Sequence, residues 1–163
     1  MRAMTIRVGI LTVSDAGSRG ERVDTSGAAV RQLMEGIGAA VARYAVVPDE
    51  RDRIASTLRE WCDGGVDLLL TTGGTGLAAR DVTPEATLDV AERLAPGIAE
   101  AMRATGLRFT PMAMLSRAVA VVRGSTLIVN LPGSEKGARE SLAAIIDVLP
   151  HAVQLLRGDT EHH

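Results

Sequence analysis

Apolar runs alternate along the chain with segments in which apolar residues return every three or four positions. Three runs rich in β-branched residues, at residues 6–13, 41–47 and 66–72, predict strands, and the first is expected to be buried on both faces. Two further runs, at residues 118–122 and 126–131, flank a short turn and predict a β-hairpin. The pattern therefore predicts five strands, with helices between most of them.

Amphipathic helices are predicted between these strands and after the last one. Thr83-Pro84 marks one helix start, with threonine as the N-cap and proline in the first turn. Pro96 is expected to interrupt or restart the helical pattern and Pro150 to kink or restart it, whereas residues 107–117 give no clear assignment. The positions expected to face the core are Val30, Leu33, Met34 and Ile37, then Ile54, Leu58, Trp61 and Cys62, and finally Leu142, Ile145, Ile146 and Leu149.

This alternation predicts an α/β fold with a mostly parallel sheet between two helical layers. The 163 residues contain no repeat or linker, so residues 1–163 are expected to form a single domain. In such folds, ligands bind beyond the carboxyl ends of the strands. Polar or glycine-rich loops follow three predicted strands, at residues 14–15, 73–76 and 132–134. We therefore expect these three loops to share one pocket.

The third predicted strand ends in Gly73, Gly74, Thr75 and Gly76. Glycines let backbone N–H groups approach an anion closely, although a plain tight turn explains the same residues. No lysine follows the glycines, so a Walker P-loop is excluded. The G-x-G-x-x-A pattern at residues 74–79 is a poor dinucleotide motif, because it follows the third strand and the next helix starts several residues later. We prefer an anion or cofactor loop.

The loop after the last predicted strand contains Pro132, Gly133 and Ser134. Ser134 is a natural N-cap, but a helix N-terminus with free N–H groups also binds phosphate. Lys136 follows two residues later and is the only lysine in the chain. Its compact ammonium group could neutralise a phosphate. Both a capped helix and a phosphate site are compatible with this loop.

Carboxylates lie close to these loops. Asp81 follows Arg80 at the rim of the loop of residues 73–76, here called the glycine loop. It could be a solvated or arginine-paired residue there, or a Mg²⁺ ligand beside phosphates. Asp49 opens the second predicted helix, and its position favours helix capping. Ser14 and Asp15, at the first strand end, fit either a turn or a ligand contact. The residues by themselves leave these alternatives open.

Composition narrows the class of protein. The net charge is −2 and aromatic residues make up only 2% of the chain, so a nucleic-acid-binding protein is not expected. The longest early apolar run is too short for a membrane span and is a poor signal peptide. The single cysteine, Cys62, cannot form an intrachain disulfide and suits a reducing compartment. We expect a cytoplasmic protein that contacts no membrane.

Taken together, the motifs VSD, PDE, TTGGTG, RDVTPEAT and LPGSEKG resemble those of the molybdenum-cofactor biosynthesis family. This family includes bacterial molybdopterin adenylyltransferases of the MogA and MoaB type and a domain of gephyrin. The resemblance extends over residues 6–156, and the order and spacing of its motifs make it specific. It implies a three-layer αβα sandwich and a homo-oligomer, commonly a trimer.

The resemblance also implies a reaction in which Mg²⁺ and ATP support transfer of AMP to the terminal phosphate of molybdopterin, releasing pyrophosphate. A partner enzyme would then use the adenylylated product for molybdate insertion. The two family carboxylates implicated in the chemistry fall on Asp49 and Asp81, which are also the candidate Mg²⁺ ligands. The remaining substrate- and nucleotide-binding positions are expected at Ser14, Asp15, Gly73, Gly74, Thr75, Gly76, Thr83, Pro132, Gly133, Ser134 and Lys136.

Two other functions are compatible with the sequence. Some relatives bind the pterin without established adenylylation, so a molybdopterin-binding or carrier protein would contain the same motifs. A different nucleotide-binding enzyme, such as a dehydrogenase, would require the glycine pattern at residues 74–79 to open a helix directly. The position at which the next helix starts tests the dehydrogenase alternative.

Overall fold

The computed structural model describes residues 5–159, which fold around one six-stranded sheet. The strands are β1 (Arg7–Val13), β2 (Ala40–Val47), β3 (Leu68–Thr72), β4 (Arg93–Leu94), β5 (Ala120–Arg123) and β6 (Thr126–Leu131). Their order across the sheet is β2-β1-β3-β6-β5-β4, in which β2, β1, β3 and β6 are parallel. The β6–β5 and β5–β4 pairs are antiparallel. The predicted mostly parallel sheet is confirmed; the single-domain prediction for residues 1–163 extends to termini that lie outside the described residues.

Helices connect and cover these strands. They are α1 (Asp15–Ser18), α2 (Thr25–Gly36), α3 (Arg51–Asp63), α4 (Thr83–Val90), α5 (Pro96–Gly106), α6 (Glu135–Ile145) and α7 (Leu149–Leu156), with 3₁₀ segments at Pro111–Leu115 and Ile146–Val148. Within residues 5–159, no helix combines the length and apolar character that crossing a membrane requires.

The sheet separates two apolar cores, because successive side chains of a strand point to opposite faces. On β3, Leu68 and Leu70 join one core while Leu69 joins the other. The first core is completed by side chains of α2, α5, α6 and α7. The second is completed by α3 and α4, including the buried Trp61. The structure is therefore the three-layer αβα sandwich that the sequence predicts.

Most of the predicted elements are confirmed, and the differences have local causes. The two-residue strand β4 was missed because such a short segment has no readable period. Residues 107–117, which had no assignment, contain the 3₁₀ segment Pro111–Leu115. Ile37 was expected to face the core, but it is 42% exposed because α2 has already ended at Gly36.

Two predicted helix caps are wrong. Thr83 is the first residue of α4 rather than its cap, and its hydroxyl donates to the Gly73 carbonyl oxygen at 2.9 Å. Asp49 does not cap α3, because that helix begins at Arg51 after Glu50, which makes no side-chain cap bond. The Asp49 carboxylate is thus available for other contacts.

Candidate functional site

Three loops meet at the carboxyl ends of adjacent parallel strands. Ser14 follows β1, Gly73 follows β3 and Pro132 follows β6, and β1, β3 and β6 are neighbours in the sheet. The Gly73 N–H group donates to the Leu131 carbonyl oxygen at 3.1 Å, which holds the second loop against the third. The loops at residues 14–15, 73–76 and 132–134 therefore lie together, as their positions in the sequence predict.

Between these loops lies a pocket of about 420 Å³, here called the acidic pocket. Three aspartates line it, Asp24, Asp49 and Asp81, together with Arg22. The loops contribute small or polar residues to its lining, namely Ser14, Gly73, Gly74, Gly133 and Ser134. Carboxylates beside glycine backbone suit a phosphate ligand that binds together with a divalent cation, because the cation offsets like charge.

The glycine loop needs its first two glycines for a geometric reason. Gly73 and Gly74 have φ values of +94° and +69°, a region that favours glycine. A Cβ atom on Gly73 would lie 2.3 Å from the Val13 carbonyl oxygen, and one on Gly74 would lie 2.3 Å from the Thr83 hydroxyl oxygen. The loop therefore packs tightly against both β1 and α4, which fixes the backbone that faces the acidic pocket.

Asp15 and Asp49 hold each other through reciprocal hydrogen bonds. The Asp15 N–H group donates to Asp49 Oδ2 at 3.0 Å, and the Asp49 N–H group donates to Asp15 Oδ1 at 2.9 Å. Arg80 then donates to both Asp15 carboxylate oxygens, from Nε at 3.1 Å and Nη2 at 2.8 Å. The Asp15 carboxylate thus has protein partners, and it is absent from the residues lining the acidic pocket.

The two carboxylates have opposite pKa shifts. The hydrogen bond from Arg80, followed by that from the Asp49 backbone, lowers the pKa of Asp15. Burial raises the pKa of Asp49, and repulsion from Asp15 and Asp81 adds to that rise, although the Asp15 backbone hydrogen bond opposes it. Asp49 is therefore a carboxylate whose charge a bound cation would stabilise.

The residues present fit Mg²⁺ shared with a ligand rather than Mg²⁺ held by the protein alone. Within residues 5–159 there is no group of three or more His, Cys, Asp or Glu side chains that could hold a metal ion. Asp49 and Asp81 nevertheless line one pocket from two separate loops. Mg²⁺ is commonly bound by one or two carboxylates plus substrate phosphates and water. Asp49 and Asp81 supply these two carboxylates, and a bound phosphate would supply the remaining oxygen ligands.

Asp81 is held inside its own loop. Its Oδ2 atom accepts a hydrogen bond from the Ala78 N–H group at 3.0 Å. Its carbonyl oxygen accepts one from Arg117 Nη2 at 2.6 Å. Sequence reasoning missed Arg117, because the residue lies 36 positions further along the chain, in the stretch without an assignment.

A second cavity, of about 290 Å³, adjoins the acidic pocket and shares Ser134 with it. We call it the apolar cavity, because Ala99, Met102, Met112, Ala113, Leu115 and Ala118 line it. Polar groups at its boundary include Arg103 and the buried Asn130. The cavity offers an apolar surface with a few polar groups, as small-molecule sites commonly do.

A hydrogen-bond network on one side of the acidic pocket centres on Asp24. Its carboxylate accepts from the Thr12 hydroxyl at 2.6 Å, from the Gly27 N–H group at 2.9 Å and from the Tyr44 hydroxyl. Burial alone would raise the pKa of Asp24, but the hydrogen bonds from Thr12 and Tyr44 lower it overall. Asp24 also caps α2, and that local role is the only one its sequence context indicates.

The other predicted site residues lie outside the acidic pocket. Thr75, Gly76 and Pro132 line the apolar cavity rather than the acidic pocket. Thr83 is fully buried and lines neither cavity, so its contact with the glycine loop is its visible contribution. Lys136 is exposed in the first turn of α6 and also lines neither.

The dehydrogenase alternative is contradicted by the local structure. Residues 77–80 form bends and turns, and no helix starts before Thr83. The glycine pattern at residues 74–79 therefore does not open a helix, as a dinucleotide-binding motif would. Fold and site together define an α/β protein with a ligand pocket at the carboxyl ends of its parallel strands.

Comparison with known proteins gives the family. Residues 9–151 match the model of the family described as "Probable molybdopterin binding domain". A molybdopterin adenylyltransferase from Helicobacter pylori J99 is 43% identical over 158 residues, covering 95% of this chain and 90% of the relative. The molybdopterin adenylyltransferase from Escherichia coli K12 is 40% identical over 172 residues, covering 94% of this chain and 87% of the relative.

A solved structure agrees with this family assignment. The crystal structure of the molybdopterin biosynthesis enzyme MoaB from Thermus thermophilus superposes with a TM-score of 0.90 at 61% identity, covering 94% of this chain and 98% of that one. The chain belongs to the molybdenum-cofactor biosynthesis family, whose members share the molybdopterin-binding domain.

Proposed function

We propose that this protein is a molybdopterin adenylyltransferase that uses ATP and Mg²⁺. The observation that supports the reaction best is the position of Asp49 and Asp81, which line one pocket from separate loops beside an apolar cavity. Relatives that match nearly the whole chain have the same activity in their names. The product, adenylylated molybdopterin, would pass to an enzyme that inserts molybdate.

In the proposed reaction, an oxygen of the terminal phosphate of molybdopterin attacks the α-phosphorus of ATP. A new P–O bond forms to AMP, the bond to the β-phosphate oxygen breaks, and pyrophosphate leaves with that electron pair. The attacking phosphate is already an anion, so no side chain has to act as a nucleophile. The protein must align two negatively charged groups and offset their repulsion.

Each part of the site has a role in this alignment. The Gly74 N–H group and the backbone N–H groups at the Ser134 helix start would hold phosphates in the acidic pocket, because Gly74 and Ser134 line it while the Gly73 N–H group is hydrogen-bonded to Leu131. Asp49 and Asp81 would hold Mg²⁺, which when bound neutralises charge on the leaving pyrophosphate. The apolar cavity would hold the flat ring of one substrate, and Ser134, which lines both cavities, would lie between ring and phosphates.

Incubation of the protein with molybdopterin, ATP and Mg²⁺ tests this function. We expect adenylylated molybdopterin and pyrophosphate in equal amounts, and we expect EDTA to abolish both. The rate should return when Mg²⁺ is added back in excess over EDTA. Binding of molybdopterin without any AMP transfer would show that the protein is a binding or carrier protein instead.

We also propose that the protein is a cytoplasmic homo-oligomer, with a trimer as the expected state. Three apolar side chains near the apolar cavity support an oligomer, because Phe109, Met112 and Met114 are 57%, 63% and 66% exposed in the single chain. Burial against a second copy would remove this surface from water. Sedimentation equilibrium should give three times the mass of the chain, and a monomer at micromolar concentration would refute this part of the proposal.

A further inference from the structure

Arg117 lies between the 3₁₀ segment Pro111–Leu115 and strand β5, beside the loop that contains Asp81. Its side chain is 34% exposed, which is low for an arginine near the surface. It lines neither the acidic pocket nor the apolar cavity. Any effect on chemistry must therefore act through residues that it contacts.

Arg117 contacts the backbone at both ends of the loop. Its N–H group donates to the Thr75 carbonyl oxygen at 2.8 Å, and its Nε donates to the Gly76 carbonyl oxygen at 2.7 Å. Its Nη2 donates to the Asp81 carbonyl oxygen at 2.6 Å. Because the guanidinium group is planar and rigid, these bonds fix the distance between the two loop ends.

Glu85, in the first turn of α4, holds the guanidinium group from its other side. Arg117 Nη1 donates to Glu85 Oε2 at 2.6 Å, and Nη2 donates to Oε1 at 3.3 Å. The hydrogen bond from Arg117 is the main cause that lowers the pKa of Glu85. The loop ends are thereby joined to a helix in the second apolar core.

The direction of the Asp81 carboxylate depends on this loop geometry. Its Oδ2 atom accepts from the Ala78 N–H group at 3.0 Å, and a Cβ atom on Gly76 would lie 2.9 Å from the same oxygen. A change in the separation of residues 76 and 81 would therefore act directly on the bond to Ala78 and on the direction of the carboxylate.

We propose that Arg117 is a positioning residue that holds the Asp81 carboxylate in the orientation the reaction uses. This inference rests on the proposed adenylyltransferase function and on the role proposed there for Asp81. Arg117 itself contacts no reacting atom. Glu85 assists by keeping the guanidinium group in place.

Arg157 provides a matched control, because it makes the same kind of contacts at the other end of the sheet. Its Nη2 donates to Asp67 Oδ2 at 2.6 Å and to the Thr5 carbonyl oxygen at 2.8 Å, and its side chain is 38% exposed. Asp67 and Thr5 precede β3 and β1, whereas the site follows those strands. Arg157→Gln therefore removes a comparable ion pair without touching the loop.

The experiment compares Arg117→Gln, Arg117→Lys, Glu85→Gln and Arg157→Gln. We expect Arg117→Gln to lower kcat by about 10²-fold while KM for both substrates changes less than about 3-fold, because misplacement of a catalytic group affects the transition state. Arg117→Lys retains the positive charge but not the planar guanidinium group with its several N–H donors, so it should recover only part of the rate. Glu85→Gln should lie between Arg117→Gln and the wild type, and Arg157→Gln should keep the wild-type kcat.

Hydrogen exchange at the Ala78 amide supplies a readout that does not depend on activity. In Arg117→Gln this amide should exchange at least about 10-fold faster than in the wild type, and in Arg157→Gln it should not. Unchanged exchange and unchanged kcat in Arg117→Gln, or an equal loss of kcat in Arg157→Gln, would overturn the inference. If the wild type transfers no AMP, the proposed function fails, and the exchange rates still decide whether Arg117 holds the loop. If Arg117→Gln does not fold, Arg117→Lys and Glu85→Gln provide the same comparison.

Discussion

Asp81→Asn is expected to lower kcat for AMP transfer by about 10³-fold, the usual loss when one preorganised charged group is removed from a reaction that depends on charge. Asparagine keeps the oxygen that accepts from the Ala78 N–H group, so the loop should keep its shape. The variant loses the negative charge that would hold Mg²⁺ in the acidic pocket. Steady-state kinetics measure the loss of kcat, and fluorescence measures molybdopterin binding, which Asp81→Asn should retain.

Asp89→Asn is the control for this substitution. Asp89 lies near the end of α4 and pairs with Arg51 at 2.7 Å on the surface, away from both cavities. The kcat of Asp89→Asn should equal that of the wild type. Full turnover in Asp81→Asn at saturating Mg²⁺ would remove Asp81 from the mechanism.

Asp49→Asn should abolish most of the activity and yet stabilise the fold at neutral pH. The loss of activity follows from the loss of a candidate Mg²⁺ ligand, and about 10²–10³-fold in kcat is expected. The stabilisation follows because burial and the nearby charges of Asp15 and Asp81 make a charged Asp49 unfavourable in the folded protein. We expect a gain below about 1 kcal/mol, since the side chain is only partly buried and water screens its charge.

The stability that Asp49→Asn gains over the wild type should depend on pH in a definite direction. A carboxyl group whose pKa is higher in the folded state than in the unfolded state opposes folding at pH values above both. The penalty falls as pH drops through the raised pKa and vanishes below the ordinary aspartate value of about 4. Denaturant unfolding of wild type and Asp49→Asn between pH 8 and pH 3 measures it. A variant that is less stable than the wild type at pH 7 would contradict the assigned pKa shift.

Local sequence patterns predicted the fold and the meeting of the three loops, because both follow from strand order. The strand after residue 66 ends in glycines, and the structure gives Gly73 and Gly74 the positive φ values that such a motif implies. The apolar runs likewise placed β1, β3 and β6 correctly. Each strand and turn depends on residues that are close together in the chain, and the general rule for parallel sheets then brings the carboxyl ends of these strands to one edge.

The parts that local sequence patterns could not supply depend on contacts between distant residues. For Asp49 the local pattern favoured a helix cap, and only the family resemblance assigned it to the site; in the structure its carboxylate accepts a hydrogen bond from the Asp15 N–H group, 34 positions earlier, and lines the acidic pocket. Arg117 reaches Gly76 across 41 positions. Asp24 was missed because its capping of α2 explains it locally. No local pattern contains these pairings, so only the folded structure reveals them.

A crystal structure of the protein with molybdopterin, a non-hydrolysable ATP analogue and Mg²⁺ tests the proposed site most directly. We expect the phosphates of both ligands in the acidic pocket, beside the glycine loop and Ser134, with the metal ion bound by Asp49, Asp81 or both. Either ligand bound with its phosphates away from this pocket, or a metal ion that neither carboxylate contacts, would contradict the mechanism.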